Sequence, residues 1–131
     1  MIVVDASVIA SMLVYTDDRG RKARAVMGRD FEWTAPEHWK VEAFSVMRGL
    51  VLGGKLTDAQ ASRAVGRITR LGVDTVAVDD LLPRIWQLKA NISAYDAAYV
   101  ALAERRDLTL VTADARLARA STAYCRVELV A

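Results

Sequence analysis

Four acidic residues, Asp5, Glu42, Asp96 and Asp114, fall where apolar strands end or apolar helices run. An ionised carboxylate drawn out of water must be paired, hydrogen-bonded or bound to a metal, and the segments around these four offer few cations. If all four face one another, their repulsion raises some of their pKa values unless a cation neutralises the group. Oxygen donors without histidine or cysteine select hard cations, Mg²⁺ or Mn²⁺. Such a site can activate water on one side of a phosphodiester and stabilise the departing oxygen on the other. The chemistry these residue types point to is metal-dependent phosphodiester hydrolysis.

Helix capping is the competing account for three of the four. Asp5 precedes a helical pattern, Asp96 stands three residues after Ser93 in the manner of a capping box, and Asp114 follows Thr112 in a first helical turn. Glu42 is different. It lies inside a helix, flanked by Val41, Ala43 and Phe44, where no free backbone N–H needs a cap, and Lys40 and Arg48 are badly spaced to pair with it. Glu42 therefore requires a partner from elsewhere in the chain. Ser7 and Thr112 each lie two residues from a candidate ligand, so their hydroxyls can bond a carboxylate or cap a helix.

The elements that must position these residues alternate. MIVV is a short apolar strand ending at Asp5 and feeding a helix through Val8, Ile9, Met12 and Leu13. A polar helix follows from about Arg19 to Met27, then a weak strand in FEWTAP closed by Pro36. The next helix draws its core stripe from Trp39, Val41, Phe44, Met47, Leu50 and Val51 and stops at Gly53 and Gly54. Thr57 caps another helix, which stops at Gly72, and VDTVAV is a strand. Helices open at Asp79 and at Ser93, LTLVT is a strand, Ala113 to Ala120 a short helix, and CRVELV a last strand. Apolar strands alternating with helices imply a three-layer α/β/α sandwich around a parallel sheet, with ligands bound beyond the carboxyl ends of the strands.

Composition narrows the class. At 131 residues, 53% hydrophobic and 26% charged, the chain suits one soluble domain spanning 1–131. Its apolar runs are too short for a membrane span and its first residues lack the basic lead of a secretory signal, so a cytoplasmic location is expected. Cys125 has no disulfide partner and reads as a core residue; His38, the single histidine, has no nucleophile elbow to serve and reads as a partly exposed helix residue. A net charge of +2 does not by itself indicate nucleic acid. Arg19, Arg21, Lys22, Arg48, Lys55, Arg116 and Arg119 are candidate phosphate contacts, with solvated surface charge as the default. Trp33, Trp39, Trp86 and Tyr15 are candidate interface aromatics, with core packing as the default.

The opening VVDASVIASML, the segment AYDAAYVALAERRDLTLVTAD and the mid-helix Glu42 downstream of Pro36 resemble a PIN-domain ribonuclease, specifically the VapC toxins of type II toxin-antitoxin systems. The resemblance covers nearly the whole chain. It implies a parallel sheet in the order 3-2-1-4-5 and an Mg²⁺ or Mn²⁺ site to which Asp5, Glu42, Asp96 and Asp114 correspond, with Asp5 and Asp96 as the innermost ligands and Ser7 and Thr112 flanking them. It also implies RNA cleavage, on targets such as transfer or ribosomal RNA, inhibition by a cognate VapB-type antitoxin, and a homodimer. Two other classes compete: a receiver-like phosphoacceptor module and a catalytically silent RNA-binding domain. The first fits poorly, since Asp5 is followed by Ala6 rather than a second acid and LTLVTAD has no lysine.

Overall fold

A computed structural model describes residues 1–130. Five parallel strands, β1 (Ile2–Val4), β2 (Trp33–Pro36), β3 (Val73–Val76), β4 (Leu110–Thr112) and β5 (Val127–Leu129), form one sheet in the order β3-β2-β1-β4-β5. Helices flank it, as the alternation of elements and the resemblance both imply. The chain runs outward from β1 through β2 to β3, then returns to the other side of β1 as β4. The order thus reverses beside β1, and a crevice opens at the carboxyl ends there.

The helices are α1 (Ala6–Val14), α2 (Asp18–Arg29), α3 (Trp39–Leu52), α4 (Asp58–Ile68), α5 (Leu82–Gln87), α6 (Ala94–Arg106) and α7 (Ala115–Ser121). A single 3₁₀ turn at Asp79–Leu81 leads into α5. Helix α6 packs across β1, β2 and β4, and its residues Ala97 to Ala103 are all buried, the pattern of a helix enclosed on every side. Small alanines let it approach the sheet closely. Thr57 caps α4 through a reciprocal capping box with Gln60. Gly54, at φ +72°, takes the left-handed turn that ends α3, so the second glycine of the pair is the one the turn requires.

Two expectations need correction. The stripe assigned to α3 is rotated: Trp39, Ala43 and Met47 are buried, whereas Val41 and Phe44 face solvent. The periodicity was counted on large residues, and the small Ala43, which sits against the core, carried the true phase. Trp86 is 69% exposed on α5 rather than in the core, with Lys89 over its ring. Trp39 is fully buried, and Trp33 is partly buried with its indole N–H directed at the Met27 and Asp30 carbonyls. Cys125 is half-buried against the core. No helix among the described residues is long and apolar enough to cross a membrane.

Several basic residues carry structural duties. Arg19 pairs with Asp17 and stacks on Tyr15, Arg21 pairs with Asp18, and Arg24 donates to the carbonyls of Met12 and Tyr15 at the end of α1. The Arg19–Tyr15 stack and the two Arg24 bonds hold α2 to the end of α1, while the Asp17 and Asp18 pairs stay within α2 and its cap.

Candidate active site

Asp5 stands at the exit of β1 and is 6% exposed. By position it precedes α1, yet its carboxylate does not cap that helix. Instead Oδ2 accepts hydrogen bonds from the hydroxyls of Ser7 and Thr112, each at 2.7 Å. Both hydroxyls are themselves oriented by backbone donors: Ala113 N–H donates to Ser7 Oγ at 3.1 Å and Asp114 N–H to Thr112 Oγ1 at 3.0 Å. The β4 exit is thereby tied to the β1 exit through one carboxylate oxygen, and the chained bonds reinforce each other in a low-dielectric setting.

Glu42 lies in the first turn of α3 rather than mid-helix, and it has both a distant partner and a local one. Its Oε1 accepts the Tyr99 hydroxyl at 2.6 Å, bringing α3 and α6 together. Tyr99 is fully buried three residues beyond Asp96, on the same face of α6. His38, which precedes α3, completes the clasp: Nε2 lies 3.1 Å from the Tyr95 carbonyl and 3.2 Å from Glu42 Oε1. Both neighbours are acceptors, so Nε2 carries the proton. The Glu42 carboxylate raises the His38 pKa by hydrogen bonding, and burial, with that same carboxylate, pushes the Tyr99 phenol far up. Sequence reasoning missed both roles. The spacing of Tyr99 from Asp96 was the signal for one of them.

Asp96 is half-buried near the start of α6, where Ser93 is the cap and accepts from the Asp96 backbone N–H. Burial raises its pKa, and the charges of Asp5, Glu42 and Asp114 raise it further. Asp96 thus feels all three of the other acids. The Asp5 pKa is raised as well, chiefly by burial and additionally by Glu42, against the lowering effect of its two hydroxyl donors. Asp114 does cap, its Oδ1 accepting from Arg116 N at 2.9 Å and Leu117 N at 3.3 Å. The capping account therefore holds for Asp114 and fails for Asp5.

All four carboxylates, with Ser7, line one cavity of about 490 Å³ at the sheet's switch point. No Lys or Arg is among its described lining residues. No three acidic, histidine or cysteine side chains among the described residues are close enough to clasp an ion without rearrangement. The donor set nevertheless fits a hard divalent cation: oxygen ligands only, at least two of them held in a pocket that penalises their charge.

Comparison with known proteins bears on this geometry. The family model described as PIN domain matches residues 2–122. The chain belongs to the PIN-domain family. Among curated PIN relatives, Ribonuclease VapC9 of Mycobacterium tuberculosis is 39% identical over 130 residues, covering 99% of this chain and 98% of that one. Ribonuclease VapC12 of the same organism is 32% identical across the full length of both chains. In solved structures the PIN fold recurs at lower identity. The Mycobacterium tuberculosis toxin VapC20, described as cleaving the sarcin-ricin loop, superposes with a TM-score of 0.64 at 19% identity, over 84% of this chain and 87% of that one. PAE2754 from Pyrobaculum aerophilum gives 0.65 at 21% identity, over 96% and 81%.

The clasp on Glu42 is testable. Tyr99→Phe removes a hydrogen bond to a charged group and is expected to lower stability by about 1.5–3 kcal/mol. Urea denaturation of Tyr99→Phe, Glu42→Gln and the double variant should show strong coupling between the two positions. Additive losses would mean that the contact carries no energy.

Proposed function

We propose that this chain is a metal-dependent endoribonuclease, a single PIN unit over 1–131 that acts in the cytoplasm as the toxin of a toxin-antitoxin pair and is inhibited by a cognate VapB-type antitoxin. The observation that carries the reading is the convergence of Asp5, Glu42, Asp96 and Asp114, from four separate segments, on one cavity with no cationic side chain among its described lining residues. The names of the relatives, which are ribonucleases over their full length, support RNA as the substrate. The VapC20 description supports a structured RNA target, such as ribosomal or transfer RNA.

Asp5 and Asp96, the most desolvated acids, would be the principal ligands of Mg²⁺ or Mn²⁺, with Glu42 and Asp114 completing the set. When bound, the cation would supply charge neutralisation at the phosphodiester and activation of the attacking water. The protein's own contribution is orientation. Ser7 and Thr112 fix one oxygen of Asp5, Tyr99 and His38 fix one oxygen of Glu42, and the Arg116 and Leu117 amides fix one oxygen of Asp114. The burial of Asp5 keeps bulk water from competing at the ligand that ties the two central strands together.

Exposed apolar side chains on α3, including Val41, Phe44 and Leu52, support a macromolecular partner such as the antitoxin or a second copy in a homodimer. A direct experiment follows from the ligand set. Adding Mn²⁺ to the metal-free protein should raise its melting temperature by mass action, and Asp96→Asn should remove most of that rise. An equal rise in both proteins would show that the ion binds elsewhere.

A further inference from the structure

The walls of the acidic cavity carry apolar side chains where they meet solvent, beside the exposed Ser45 and Asp114. Tyr95, in the first turn of α6, is 67% exposed; across the opening on α3 stand Val41, 71% exposed, and Val46, 36% exposed. Three hydrophobic side chains thus rim a floor of carboxylates. Leaving them in water is costly unless something covers them. The Tyr95 backbone is fixed by the helix and by His38 on its carbonyl, and the His38 ring lies tilted at 5.8 Å from the Tyr95 ring, so the phenol is held at the rim.

A cation held on this floor would neutralise the scissile phosphate, but no Lys or Arg among the described lining residues is placed to hold the rest of the nucleotide. Affinity for the nucleotide beyond that phosphate must therefore come from something other than ion pairing. Aromatic rings supply such affinity to single-stranded nucleic acid, because every base has a π-face. We propose that Tyr95 is a base-stacking platform: an unpaired base beside the scissile phosphate lies on its exposed ring face, against the lip formed by Val41 and Val46. This rests on the endoribonuclease reading and names the side chain that would meet the base. The nucleotide at the cavity must be unpaired, since a base inside a duplex has both faces covered.

The test uses the full chain and a short single-stranded oligoribonucleotide carrying 2-aminopurine, whose fluorescence falls on stacking. Binding is followed in Ca²⁺, and kcat and KM are then measured in Mn²⁺. Tyr95→Ala is expected to weaken binding roughly 10- to 100-fold and to abolish the quench, with the loss falling on KM. Tyr95→Phe and Tyr95→Trp should keep both affinity and quench, while Tyr95→Leu, apolar but without a π-face, should behave like alanine. Thermal melting of each variant separates misfolding from lost stacking. Wild-type affinity and quench in Tyr95→Ala would overturn the platform while leaving the ribonuclease reading intact. Absence of both binding and cleavage in the wild type would overturn the ribonuclease reading and the platform with it.

Discussion

Asp5→Asn is expected to lower RNA cleavage by about a thousandfold or more while making the metal-free protein more stable at neutral pH. The two effects have one cause. Asp5 is buried beside other acids, so its ionised form is disfavoured in the folded chain and its pKa lies above the ordinary aspartate value of 3.8. A raised folded-state pKa means that the folded protein holds this proton more tightly than the unfolded chain does. That contribution is fully present below the unfolded pKa and is lost as pH rises through the folded one. Asparagine keeps an acceptor for the Ser7 and Thr112 hydroxyls and never ionises. The melting temperatures of variant and wild type should therefore nearly coincide below about pH 3.8 and separate, with the variant higher, as pH rises through the folded pKa. For a chain of this length each kcal/mol recovered is worth about 3–5 °C. The Asp96 pKa is shifted in the same direction, so Asp96→Asn should show the same sign. Saturating Mn²⁺ should reverse the order at Asp5 by stabilising the wild type alone. A less stable Asp5→Asn protein at neutral pH would mean that the carboxylate is a net structural asset and that burial does not oppose its charge.

Gly20→Ala is expected to be among the most damaging conservative substitutions in the molecule. A Cβ at residue 20 would lie 1.8 Å from the Tyr15 carbonyl oxygen and 2.6 Å from its carbon. Both are backbone atoms and cannot step aside, and the same carbonyl accepts from Arg24. Relief requires α2 to move off α1, whose first turn carries Ser7 and forms a wall of the acidic cavity. A loss of about 3 kcal/mol or more follows, read as a drop in melting temperature and in the urea midpoint. Gly28→Ala, in the same helix, meets nothing within 4 Å and should be neutral or stabilising by about 1 kcal/mol. Equal behaviour of the two variants would refute the close approach of α1 and α2.

The parallel sheet and the acids at its strand ends were legible because β1 and β4 are apolar segments that end abruptly at Asp5 and Thr112, whereas the strand order was implied only by the family resemblance. Glu42 was readable as an acid in need of a partner, but it lies in the first turn of α3 with His38, four residues before it, as a local partner that spacing allowed; the spacing could not name Tyr99. That contact depends on the crossing of α3 and α6, which is a property of packing rather than of period. The buried face of α3 is hidden for a related reason: Ala43 contributes little to a count of large hydrophobics, yet it lies in the core between Trp39 and Met47. Whether Asp5 and Asp114 each cap a helix could not be read from sequence. Burial and hydrogen-bond direction separate them, since Asp114 Oδ1 receives two amides of its own helix and Asp5 Oδ2 receives two hydroxyls.

The proposed reaction is hydrolysis of RNA by water at a divalent cation gathered by these acids. Its most direct test is to incubate the purified protein with a structured RNA, with Mn²⁺ or with EDTA, and to analyse the chemistry of the new ends. Cleavage is expected with Mn²⁺ only, to be lost in Asp5→Asn, and to leave ends without a 2′,3′-cyclic phosphate, because the attacking oxygen comes from water rather than from the neighbouring 2′-hydroxyl. Cleavage that persists in EDTA, or ends that carry the cyclic phosphate, would contradict the account.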